Sequence, residues 1–141
     1  MTRHPPIADL LPHAGAMVLL DSIVAWTDQA IHCRTRSHLS PDNPLRRAGR
    51  LHAICGIEYA LQAAALHGAL RAGGIAQKAG YVARLRDVQL ATPHLDDPAL
   101  TTLEIHATLE HAEATGMLYV LRVTDPDDTL LIAARAGISL P

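Results

Sequence analysis

Glu58 stands in one of the least polar stretches of the chain, LHAICGIEYALQAAALHGALR over residues 51–71, with Ile54, Ile57 and Leu61 close by in sequence. Taking a carboxyl out of water disfavours its charged form, so these surroundings predict a raised pKa and a protonated acid at neutral pH. Gln62 follows four residues later, one helical turn on and on the same face. Nine histidines supply candidate bases, imidazole being the side chain that most readily gains or loses a proton near neutrality. His13 follows a proline just before the first apolar stretch, and His52 lies six residues before Glu58. The first turn from Ala53 to Gly56 offers N–H groups and the positive end of a helix dipole to a developing oxyanion, and Gly56 permits close approach. The chemistry this set suits is proton transfer beside a carbonyl group.

Each residue also has a plainer reading. Glu58 is alternatively a buried acid held by Tyr59, Gln62 or backbone donors, and Gln62 is then the group that satisfies it. His13 could bond its ring to backbone, His52 could be an exposed residue at a helix start, and Gly56 could serve helix packing beneath a sheet. Asp21, inside an apolar run, reads as a strand-end hydrogen-bond anchor. No HxxxH, HExxH or paired Cys/His cluster occurs, and His106 and His111 straddle a predicted strand end, so no metal is expected. Cys33 and Cys55 lack CxxC spacing and MTRHPPIADL lacks the apolar core of a secretory signal, which leads to an expected cytoplasmic location.

The elements that must position these residues follow from length and pattern. The 141 residues fit one domain, 1–141, with no repeat or linker to divide it. Twenty-four Ala and 21 Leu, with no Phe and one Trp, leave few stacking platforms for bases, and a net charge of −2 attracts no phosphate polymer, so nucleic acid is an unexpected partner. No stretch has the length of a membrane span. Pro5-Pro6 before IADLLPH predicts a short opening helix, Met17 to Trp26 a buried strand, and Ala30 to Arg36 its hairpin partner. Ser40 to Arg50 is a loop by its prolines and charges. Leu51 to Arg71 predicts a helix apolar on almost every face, ended by Gly73 and Gly74. Strands are predicted over 80–90, with Tyr81, Ala83, Leu85 and Asp87 on one face, and over 101–109, 117–124 and 129–140. A helix apolar all round must be enclosed, and a curved antiparallel sheet wrapped around it makes an α+β domain of the hot-dog type.

With that order in place, the residues resemble a known family. IADLLPHAGAMVLLDSIV is similar to the start of the hot-dog β-hydroxyacyl-(acyl carrier protein) dehydratases, and LHAICGIEYALQ to their segment in which Gln follows an acidic residue by four. YVARLRDVQLATPHLDDPALTTLEIHATL resembles their strand, turn and strand. The GIEY form of the helix, preceded by NPLRRAGR, is most similar to divergent dehydratase-like proteins of aryl polyene and related polyketide biosynthesis. The chain departs from the pattern where active members carry a loop His about fourteen residues before the acid: that count lands on Pro44, beside Asn43. The Pro-Gly pair at the family's helix start corresponds to His52-Ala53.

The resemblance implies dehydration of a 3-hydroxyacyl thioester carried on acyl carrier protein, with no cofactor, in a homodimer or a heterodimer with another hot-dog subunit. Glu58 is then the acid and His13 or His52 the base. Ala53 and Gly56 offer amides to the thioester oxygen, and Gln62 stands in the substrate-binding set. Arg46, Arg47 and Arg50 would form a basic patch for the acidic carrier protein, with Arg84 and Arg86 alternating on the next strand. The alternatives are a non-catalytic subunit that completes a dehydratase heterodimer, and an acyl thioesterase.

Overall fold

The computed structural model describes residues 4–141. Its elements run α1 (Ile7–Leu10), β1 (Ser22–Trp26), β2 (Ala30–Thr35), α2 (Gly56–Arg71), β3 (Tyr81–Leu90), β4 (Leu103–Glu113), β5 (Gly116–Thr124) and β6 (Leu130–Ser139), with 3-10 turns at Gly15–Met17, Ser37–Leu39 and Ala53–Cys55. The strands form one sheet in the order β1-β2-β4-β5-β6-β3, antiparallel at every step. α2 lies on its inner face, chiefly against β4, β5 and β2. The α+β hot-dog architecture expected from the apolar helix is what the chain adopts.

The core joins Tyr59, Ala63, Leu66 and Ala69 of α2 to Ile31, Leu103, Ile105, Tyr119 and Leu121 of the sheet, all fully or almost fully buried. Each such Leu or Ile contributes about 1.5–3 kcal/mol by leaving water. The helix ends as its glycines predict: Gly73 and Gly74 both take φ of 85°, and the Gly74 N–H donates to Ala69 O at 2.9 Å, closing the last turn in the manner of a Schellman cap. Among the described residues no helix is long and apolar enough to cross a membrane.

Three expectations need correction. The strand predicted from Met17 begins only at Ser22, because side chains take the preceding backbone groups: Gln62 binds the Met17 carbonyl and the Leu19 N–H, and the Thr35 and Ser37 hydroxyls donate to Leu19 O. Asp21 lies just outside β1, where its Oδ2 accepts the Arg36 N–H at 2.7 Å, the anchor reading. The simple alternation expected along β3 fails at two bulges, between Val82 and Arg84 and between Arg86 and Gln89. Val82 and Leu85 therefore share the inner face opposite Ile138 and Ala136, while Arg84 and Arg86 point outward. His106 and His111 both lie within β4, which runs on to Glu113 through a bulge. His106 stacks on His32 with ring centroids 4.4 Å apart, whereas His111 pairs with Glu113 at 2.8 Å.

The core also holds a histidine. His67 is buried on α2, with Nδ1 2.7 Å from the Tyr119 hydroxyl and Nε2 2.7 Å from Thr27 O. The carbonyl can only accept, so Nε2 carries the proton and Nδ1 accepts from Tyr119. Burial holds His67 below the ordinary histidine value of 6.5, and acts in the same direction on His38 and His106. Just below pH 6.5 the unfolded chain therefore binds more protons than the folded one, and stability falls as pH falls. Glu104 adds a second loss at lower pH: burial pushes its carboxyl up, but bonds from Arg34, Thr102 and His32 outweigh this and hold it at about 2, below its ordinary 4.5. The urea midpoint at about pH 5.5 should lie below that at about pH 7.5, with a shallower dependence in His67→Gln. Equal midpoints would contradict this assignment.

Candidate active site

A cavity of about 790 Å³ opens beside the exposed side of α2. Glu58, Leu61, Ala65 and Gly68 come from the helix, His13 from the connection after α1, Val82 from β3, Met117 from β5 and Ile138 from β6. The walls are largely apolar, with Glu58, His13 and Glu113 as titratable groups within reach of the same space. His13 is half-buried, and its Nδ1 is buried with no hydrogen-bond partner among the described residues. Nδ1 is thus out of reach of water and unsatisfied within the chain, and His13 borders the cavity by the rest of its ring.

Glu58 corrects an expectation. Its side chain is exposed rather than buried, so the desolvation predicted from its apolar neighbours in sequence does not arise within one chain. The neighbours face the other way: Ile57, Tyr59 and Ala60 turn into the core, while Glu58 turns to the cavity.

Gln62 links the two halves of the site. Its Oε1 accepts the Leu19 N–H at 2.9 Å and its Nε2 donates to Met17 O at 2.5 Å. One helical turn past Glu58, this amide fastens the segment that carries His13 onto the helix that carries Glu58. Each polar atom thereby has a backbone partner and the side chain is buried, so Gln62 serves at the cavity's border as a strut.

The helix start differs from the expected amide donor. The Ala53 N–H donates to Pro93 O at 3.0 Å, and the Gly56 N–H goes to Ala53 O and Ile54 O. Gly56 itself is a packing residue: a Cβ there would meet Ile132 Cδ1 at 2.1 Å and Leu95 Cδ1 at 3.3 Å. His52 is exposed, 5.1 Å from the His94 ring, and borders a separate open depression with Leu90 and Pro93. The fold brings His13 to Glu58's cavity and leaves His52 outside it.

The loop before α2 accounts for the missing histidine. Asn43 is buried, its Nδ2 donating to Ser37 O at 3.0 Å and to the Tyr59 hydroxyl at 2.8 Å, while its Oδ1 accepts the Leu45 N–H at 2.9 Å. A residue that holds the loop to the helix occupies this place. Arg46 is likewise structural, because its guanidinium donates to Ser40 O, Gly49 O and His38 O, and so it is withdrawn from the expected basic patch. Arg47 and Arg50 remain exposed, Arg50 in a 2.9 Å bond to Asp96. The exposed cations at the cavity are instead Arg71 and Lys78, which the sequence signalled only as a helix end and a short polar segment.

A six-stranded antiparallel sheet wrapped on one long helix defines a hot-dog protein, here with an acid and an imidazole lining one cavity. The chain belongs to the ApeP-like dehydratase family, whose model, described as ApeP dehydratase, matches residues 5–141. Among curated proteins none matches it significantly in sequence. A chain of the dehydratase heterocomplex ApeI:P from Xenorhabdus doucetiae superposes with a TM-score of 0.82 at 22% identity, over 99% of this chain and 93% of that one. AziG of S. sahachiroi gives 0.63 at 13% identity over 88% and 91%. A hypothetical thioesterase from Streptococcus pneumoniae, solved with coenzyme A, gives 0.61 at 16% over 85% and 84%. At these identities the likeness is one of fold.

Two substitutions test the helix. Gln62→Leu strands the Leu19 N–H and the Met17 carbonyl, and should cost about 1–3 kcal/mol for each group left unpaired, read by urea unfolding. Gly56→Ala should lower stability by about 1–3 kcal/mol through overpacking, and Ile132→Val in the same chain should recover much of that loss by removing the obstructing methyl. A Gly56→Ala chain as stable as the parent would contradict the packing role.

Proposed function

We propose that this chain is a dehydratase subunit acting on 3-hydroxyacyl thioesters borne by acyl carrier protein. The observation that carries the reading is the shared cavity of Glu58 and His13; family membership supports it. His13 removes the proton from C2. The electron pair of the broken C2–H bond becomes the C2–C3 double bond as the C3–O bond breaks, and Glu58, as the acid, protonates the departing hydroxyl, which leaves as water. The products are the enoyl thioester and water, and proton exchange with solvent resets both groups. Apolar walls from Leu61, Val82, Met117 and Ile138 suit an acyl chain. Arg71 and Lys78 at the cavity supply positive charge for an acidic carrier.

A second hot-dog chain belongs to this reading. Glu58 lies open to water in the single chain, and β3, which contributes Val82 to the cavity, is exposed along its whole length. A second chain over that edge would close the cavity and take Glu58 out of water, and the ApeI:P likeness supports a non-identical one. Both cysteines are free, and burial pushes the Cys33 thiol up to about 12.

The test is turnover of a 3-hydroxyacyl carrier-protein thioester, by the chain alone and with a second hot-dog subunit. Glu58→Gln and His13→Gln should each cut enoyl formation by about a hundredfold or more. Both residues sit at the cavity, outside the core cluster, so folding should persist. An undiminished rate in Glu58→Gln would overturn its role. Release of free thiol without enoyl product would point to a thioesterase instead.

A further inference from the structure

β3 ends the sheet with nothing beside it, and all ten of its residues are exposed. Its inner face shows Val82, Leu85 and Leu90 at 46%, 39% and 48% exposure, beyond the strands that α2 chiefly covers. A long edge strand with open N–H and C=O groups and an uncovered apolar face is a template for another strand. That another hot-dog chain takes this place rests on the proposed function above. Which chain it accepts is a separate matter, decided on the opposite face.

There Arg84 lies opposite Gly137 and Arg86 opposite Arg135. Arg135 pairs with Glu110. Among the described residues Arg84 and Arg86 have no ion pair, and their nearest acid in sequence, Asp87, sits in the bulge at φ 54°. Two identical chains joined edge to edge by a two-fold axis must run their β3 strands antiparallel, with the same patch on both sides. Directly opposed side chains must share a face, so the registers that use most of the strand are centred on Leu85 or on Arg86. The first sets Arg86 of one copy against Arg84 of the other, twice over. The second sets Arg86 against Arg86. In either case guanidinium groups meet directly, with Asp87 in the bulge as the nearest acid in sequence, and like charges directly opposite are unfavourable.

We propose that Arg84 and Arg86 make the β3 edge select a non-identical hot-dog subunit whose own edge strand presents carboxylates on its outer face, and make two copies of this chain poor partners for each other. The apolar inner face supplies adhesion common to both pairings, and the arginines supply the discrimination.

The experiment uses full-length protein and a copy carrying Arg84→Glu and Arg86→Glu as an acidic-edged probe. Sedimentation at low salt should show the parent and the probe each associating weakly with itself. The mixed dimer should be on the order of tenfold tighter, a gain that fades near 1 M NaCl, where charges are screened beyond about 3 Å. A copy carrying Arg84→Gln and Arg86→Gln should self-associate more tightly than the parent. A mixed dimer no tighter than the parent's own, or a glutamine copy that self-associates no better, would overturn the proposal. Neither reading involves turnover, so failure here leaves the dehydratase assignment standing, and loss of that assignment leaves the charge selection measurable.

Discussion

An α-helix without a polar face has to be enclosed, and α2 imposes that requirement on the whole chain. Its Ala-rich surface lets the sheet's side chains come close, and at Gly56 the Ile132 side chain takes the space a Cβ would fill. The sheet curves over it, α1 and the loop from Ser37 to Arg50 cover other parts, and the polar groups within this enclosure bond to one another: His67 to Tyr119 and Thr27, Tyr59 to Ser37 and Asn43. Unpaired, such groups would each cost a few kcal/mol, so the enclosure also dictates the few polar residues it contains.

The site arises where that enclosure stops. Glu58 is the acidic residue of α2 that turns away from the core, and its cavity lies on the side of the sheet that α2 leaves uncovered. Gln62 holds His13's segment to the same helix, so acid and imidazole are placed by one strut rather than by two flexible loops. The uncovered inner face of β3 belongs to the same gap. A single chain of this size encloses its helix and leaves the cavity beside Glu58 half-walled, so on the proposed reading a second chain would complete the site.

The sequence pattern alone carried the architecture, because an apolar helix between antiparallel strands admits few solutions. It named Glu58 with either His13 or His52, through a resemblance to a family, and of the two histidines the fold puts His13 at the cavity that Glu58 lines. It misjudged what depends on direction. Apolar neighbours in sequence suggested a buried Glu58, yet a helix puts adjacent residues on different faces, and Ile57 and Tyr59 point inward while Glu58 does not. The three loop arginines were equivalent as letters, but Arg46 is consumed by three carbonyls that only the folded loop brings together. The bulges of β3, which put Arg84 and Arg86 on the outer face with Val82 and Leu85 inward, leave no mark in a period-two reading. Asn43 gave no sign that it had become a structural fastener, since its bonds reach to Tyr59 sixteen residues on.

The central claim is that Glu58 and His13 act on one substrate in a cavity closed by a second chain. The most direct measurement is a crystal structure of the assembled two-chain protein with an unreactive 3-hydroxyacyl thioester analogue, reporting the distance from the Glu58 carboxyl to the nearest imidazole. The account predicts that this imidazole is His13, within about 7 Å, the reach of one bridging water or substrate atom, with C2 and C3 of the analogue between them. No imidazole inside that distance, with the analogue bound elsewhere, would contradict it.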